Sequence, residues 1–131
     1  MLAAAVAMVA FAAPANAASV TFFQTPSGNI GCAMIAGFVR CDTNEHSWTV
    51  PPRPATCEFD WLGSLGVGRE GPGKFLCVSD AAFDPDSQVL GYGERISKHR
   101  FRCASKEKGL RCVNRKSDHG FFVSREEVRL F

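Results

Sequence analysis

A chain of 131 residues, 46% of them hydrophobic and 21% charged, is the size of one domain and excludes a multi-domain arrangement. Its six cysteines are an even set suited to cross-links. Its formal charge of +2 conceals an uneven distribution, considered below.

Residues 1–17 carry no charge, and the apolar run from Leu2 to Ala13 is too short for a bilayer, which needs about 20 residues. The run ends in Pro14-Ala15-Asn16-Ala17, a small-x-small pattern that signal peptidase accepts. Residues 1–17 are therefore expected to be a signal peptide, and 18–131 a single disulfide-bonded β domain with Ala18 at its mature start. No Lys or Arg precedes the apolar run, unlike an ordinary signal peptide.

Short β-rich runs separated by turn residues predict an all-β fold of short antiparallel strands and hairpins. Strands are expected at 20–23, 30–35, 38–42, 59–67, 74–78, 100–105, 110–114 and 120–123. Val50-Pro51-Pro52-Arg53-Pro54 lacks amide donors at its prolines and reads as extended linker. Ser124-Arg125-Glu126-Glu127 has capping-box spacing and predicts one short C-terminal helical turn.

All six cysteines, Cys32, Cys41, Cys57, Cys77, Cys103 and Cys112, follow the apolar leader, which reads as a disulfide framework in an oxidising compartment. Zinc is disfavoured because no Cys-x-x-Cys pair or suitably spaced His completes a site. Cys32–Cys41 and Cys103–Cys112 each enclose eight residues, with a glycine near the middle and Arg before the second cysteine. A two-residue turn at Ala36-Gly37 would place Cys32 opposite Cys41 in a non-hydrogen-bonded pair, within disulfide reach. The second hairpin has Gly109 at a possible left-handed turn position, leaving its register open by one residue. Cys57 and Cys77 remain and pair by locality.

The motif run from Phe23-Gln24-Thr25-Pro26-Ser27-Gly28-Asn29 to Ile30-Gly31-Cys32 is followed by Arg40-Cys41-Asp42, Trp48, Pro51-Pro52 and Cys57 with Asp60-Trp61. Phe75-Leu76-Cys77, Leu90-Gly91-Tyr92-Gly93, Phe101-Arg102-Cys103-Ala104-Ser105 and Gly109-Leu110-Arg111-Cys112 come next, then His119-Gly120-Phe121 and Ser124-Arg125. In this order the motifs resemble small secreted actinobacterial proteins that carry only a domain-of-unknown-function label. The resemblance spans essentially the whole mature chain. It implies a secreted protein without an assigned activity and supplies no functional residues to carry over. That family tends to have Gly-His-Gly-Phe where this chain has Asp118-His119-Gly120-Phe121.

Chemistry-bearing motifs are few, and no catalytic residue, metal site or cofactor is expected. Gly68-Arg69-Glu70-Gly71-Pro72-Gly73-Lys74 approaches a phosphate loop, but Phe75 replaces the Ser or Thr that would hold magnesium. Asp80, Asp84 and Asp86 lack the glycine and bidentate glutamate of a calcium loop. His46, His99 and His119 have no local nucleophile, and no Gly-x-Ser-x-Gly elbow exists. Glu58 and Asp60 share a strand face without a cleft, and Trp48 and Trp61 read as core.

Charge placement is the one feature beyond composition. Residues 95–116 hold nine Lys or Arg and one acid, Glu107, whereas 18–94 hold four basic and nine acidic residues. An extended strand would put Lys98, Arg100 and Arg102 on one face, joined across the hairpin by Arg111 and Arg115. The bland alternative is a solvated face paired with the acidic portion. The expected function is a secreted or envelope-associated binding protein meeting an anionic cell-envelope polymer or acidic protein partner through this basic hairpin. Nucleic acid is disfavoured by export. The alternatives are an inhibitor of an exogenous hydrolase, using a rigid loop such as 67–73, and last a small hydrolase.

Overall fold

The computed structural model describes residues 3–10 and 19–131. The expected cleavage point between Ala17 and Ala18 lies outside the described residues. Residues 3–10 belong to no regular element and are exposed. No described helix is long and apolar enough to cross a membrane.

Alternation of apolar and polar residues sets the strands. In Phe101–Lys106 the buried positions are Phe101, Cys103 and Ser105, and the residues between them face outward. Eleven strands form among the described residues: β1 (Thr21–Gln24), β2 (Ile30–Ile35), β3 (Phe38–Thr43), β4 (Leu65–Gly68), β5 (Lys74–Phe75), β6 (Gln88–Val89), β7 (Arg95–Lys98), β8 (Phe101–Lys106), β9 (Gly109–Asn114), β10 (Gly120–Val123) and β11 (Val128–Leu130). They make a six-stranded sheet, β5-β4-β3-β2-β1-β6, and a five-stranded sheet, β11-β10-β9-β8-β7. Every pairing is antiparallel except β1 with β6.

The two sheets pack face to face. Phe23, Met34, Val39, Leu65 and Val67 from the first meet Phe101, Leu110, Phe121 and Val123 from the second in one core cluster. Cys32–Cys41 and Cys103–Cys112 lie in that core, each joining directly opposed strand residues with α-carbons 4.1 Å apart. Cys41 Sγ and Cys112 Sγ approach to 3.9 Å, so the bridges touch across the sandwich. Cys57–Cys77 lies apart from this pair, with α-carbons 5.7 Å apart, and ties the Pro-rich segment to the chain following β5.

The first sheet is covered on part of its outer side as well. Phe83 lies over Gly31, where a Cβ would be 2.6 Å from the ring. The buried Asp42 accepts the Ser64 hydroxyl hydrogen and, at 2.6 Å, the amide of Ala82. Arg40 approaches Asp42 at 3.2 Å and Asp80 at 2.9 Å. Phe22 and Ile35 of the first sheet stay exposed on that side, as does the outer face of the second sheet.

The all-β, three-disulfide reading holds, but the expected C-terminal helical turn is wrong: no helix occurs among the described residues. Ser124 Oγ does accept the amides of Glu126 and Glu127, at 3.2 and 3.0 Å, as a helix-starting serine would. The Ser124 amide, however, donates to Glu127 O at 2.8 Å and closes a turn, after which β11 pairs with β10. A single helical turn has a costly nucleus, whereas the edge of β10 offers a ready ladder.

Three strands, β6, β7 and β11, extend the expected set. Of 59–67 only the end is strand; Asp60 makes an isolated bridge to Val78, and Gly63 has φ of 92°. Gly109 opens β9 opposite Lys106, leaving Glu107-Lys108 as the turn.

Candidate functional site

Residues 95–114 fold as two successive hairpins, and their register decides which cations share a face. Across β7, β8, β9, β10 and β11, one outward row reads Arg95, Ala104, Arg111, Phe122 and Arg129. The neighbouring row reads Ser97, Arg102, Val113 and Gly120, and Phe131 exchanges backbone hydrogen bonds with Gly120. Beyond Arg102 the ladder continues through the Arg115 amide, which donates to Arg100 O at 2.8 Å. Arg100 and Arg115, both turn residues, close that end of the β8–β9 ladder, and alternation puts Lys106, opposite Gly109, at the other end of the face.

Arg100, Arg102, Arg111 and Arg115 are thus brought together. Lys98 is not. A turn at His99-Arg100, with His99 at φ of 54°, interrupts the extended strand on which Lys98 was expected to share their face. Lys98 instead pairs with the buried Phe101 and takes the inner side, where Nζ donates to Ser19 O, Ser19 Oγ and Thr21 Oγ1 at 2.5, 2.9 and 3.1 Å. It ties the first described residues of the domain to the second sheet. Arg95 and Lys106 belong to the face, although reasoning from one strand left them out. Both lie in the basic run, but placing them required the register of β7 and β9.

Several guanidinium groups are held in position. Arg102 Nε donates to Ser97 Oγ at 3.3 Å, and Arg115 Nη2 to His99 O at 3.2 Å. Arg111 lies 4.8 Å over the Phe131 ring, and Arg129 lies 4.6 Å over Phe122. Among the described residues, the ion pairs join Arg40 to Asp42 and Asp80, Arg125 to Glu45, and Arg129 to Glu127. None involves a cation between Arg95 and Lys116, so the acidic portion does not neutralise this face. Arg40 pairs with Asp80 away from this face. Its hydrogen bond to Asp80, assisted by its charge, holds that carboxyl below its ordinary value of 3.8.

The remaining motifs make contacts within the fold. His46 stacks on Trp48 with ring centroids 3.7 Å apart, and its Nδ1 lies 2.8 Å from Trp48 O. Trp48 and Trp61 are partly buried, and their indole nitrogens donate to Ser124 O and Pro51 O. The Gly-rich run joins β4 to β5, and Gly73 is bonded through its amide to Phe131 O. Asp84 accepts the Asp86 amide, and no described group of three His, Cys, Asp or Glu is arranged for a metal. A cavity of about 680 Å³ opens at one end of the sandwich beside Asn29, Glu45, Tyr92, Lys108 and Arg125. It carries both charge signs, and Asn29 and Arg125 already bind residue 45.

Fold and face together define a disulfide-bonded, two-sheet β protein with a cationic outer face on its second sheet. The chain belongs to DUF6636, a family of unknown function, whose family model matches residues 3–131. No curated protein and no solved structure matches the chain.

Proposed function

We propose that this is an exported, envelope-associated binding protein whose outer sheet face holds an anionic polymer or an acidic partner. The observation carrying the reading is that Arg95, Arg100, Arg102, Lys106, Arg111 and Arg115 crowd one face without an ion pair to any described carboxylate. Like charges this close repel, and a polyanion relieves the repulsion while releasing its own counterions. Export is supported by the uncharged apolar leader and by three disulfides, which persist in oxidising compartments. The resemblance to secreted actinobacterial proteins points the same way.

The test is elution from an anionic resin and from isolated envelope polymer over a salt series. Arg100→Ser with Arg102→Ser should elute earlier than the parent and with a flatter salt dependence. Exposed cations away from the face, Arg69→Ser with Lys74→Ser, should leave both unchanged. Arg53 is unsuitable as a control because it donates two hydrogen bonds to Cys57 O. Elution of both double variants with the parent would reduce the face to solvated surface.

A further inference from the structure

The seam between β8 and β9 has a repeat that selects among polyanions. Its cations follow one another along the seam: the turn residues Arg100 and Arg115 at one end, then the outward rows of Arg102, Arg111 and Lys106. Opposite the last three stand Val113, Ala104 and Gly109, residues with no side-chain hydrogen-bonding group. The cations therefore alternate between the two strands, flanking a shallow apolar track. Successive rows are two residues apart, about 7 Å, and the four positions cover roughly 20 Å.

We infer that this seam binds a linear polyol phosphate, a chain of phosphodiesters joined by three-carbon units, with one phosphate per position. The inference rests on the polyanion-binding reading and adds the chemistry of the ligand. A phosphorus-to-phosphorus repeat of P–O–C–C–C–O–P contains six bonds. Two residues of extended polypeptide also contain six backbone bonds, so both repeats come to about 7 Å. Polymer and strand can stay in step over all four positions. Uronic-acid polymers place their charges on rings and do not share this step.

Nucleic acid has the same six-bond phosphate repeat but also carries bases, which need flat surfaces or hydrogen-bonding edges. The two aromatic rings beside the seam, Phe122 and Phe131, each have a guanidinium over them. The seam itself offers Val113, Ala104 and Gly109. A thin chain without bases fits this track. The fixed positions of Arg102, Arg111 and Arg115 lower the ordering cost of binding. Glu126 and Glu127, in the β10–β11 turn, line one concavity with Lys106, Lys108 and Arg111 at that end of the seam.

The test titrates the oxidised protein with fluorescein-labelled oligo(glycerol phosphate) of increasing length. Oligodeoxythymidylate of equal phosphate number and oligogalacturonate of equal charge are the comparators. Affinity should rise up to four phosphates and then level off, with a log–log salt slope of about −3 for four phosphates. Arg102→Ser should weaken binding about fivefold, while Arg95→Ser, on the edge strand beside the seam, should change it less than about twofold. Ala104→Gln, which adds neutral bulk to the track, should also weaken binding while leaving the circular dichroism spectrum unchanged. Tighter binding of the oligodeoxythymidylate would make nucleic acid the ligand and overturn the inference. Equal binding of oligogalacturonate, or equal losses in Arg95→Ser and Arg102→Ser, would overturn it too while sparing the general polyanion reading. Failure of all three polymers to bind would remove both.

Discussion

At the residue scale, single groups fix the packing within each sheet and of the segment laid over the first. Asp42 gathers the Ser64 hydroxyl, the Ala82 amide and the Arg40 guanidinium, fastening the segment after β5 onto the first sheet. Gly120 permits a close approach: a Cβ there would be 2.0 Å from Cys112 O. Asp118 has φ of 64°, a left-handed position that glycine occupies most readily and Asp tolerates. The pair of Asp80 with Arg40 gives a pH prediction. Because the folded carboxyl has the lower pKa, its contribution is present above the unfolded value and is lost as pH falls through the folded one. Asp80→Asn should therefore melt at a lower temperature than the parent at neutral pH. The gap should close in acid below the ordinary value of 3.8, followed by calorimetry across pH. A gap that persists unchanged in acid would deny the ion pair its role.

At the element scale, tertiary pairing chooses between local alternatives. Ser124 forms the amide contacts of a helix start, yet the chain turns back as β11 because β10 presents an unpaired edge. The same hydroxyl then serves the hairpin. Ser124→Ala should cost about 1 kcal/mol, the usual value of a hydroxyl that satisfies turn amides. Urea unfolding would measure this. No change in midpoint would mean that water replaces the hydroxyl. The break at His99-Arg100 is the other element-scale decision. It moves Lys98 to the inner side and brings Arg95 to the outer face, reassigning two cations through one turn.

For the whole molecule, the bridges and the core are one structure. Each hairpin bridge lies in the shared core, and Cys41 Sγ is 3.9 Å from Cys112 Sγ. Replacing either pair with alanine, Cys32 with Cys41 or Cys103 with Cys112, should cost about 2–5 kcal/mol. Because the two bridges touch, removing both should not equal the sum of the separate losses. A four-state comparison by guanidinium unfolding checks this, and strict additivity would show that the contact between them is energetically silent. The partly covered first sheet and the open second sheet also give the molecule its asymmetry, with the cations on the open face.

Much was readable along the chain because local chemistry repeats at short range. Alternating residues around Ala36-Gly37 and a matched cysteine spacing fix hairpins in which opposed cysteines meet, and the prolines of 51–54 keep that stretch out of both sheets. The excess of positive charge in 95–116 is equally a property of sequence. Its arrangement is not. Which cations share a face depends on a turn at His99, on the partners of β7 and β9, and on the missing cover over the second sheet. A one-residue change of phase sends a side chain to the opposite face, so the candidate site could be composed only by the long-range register of five strands.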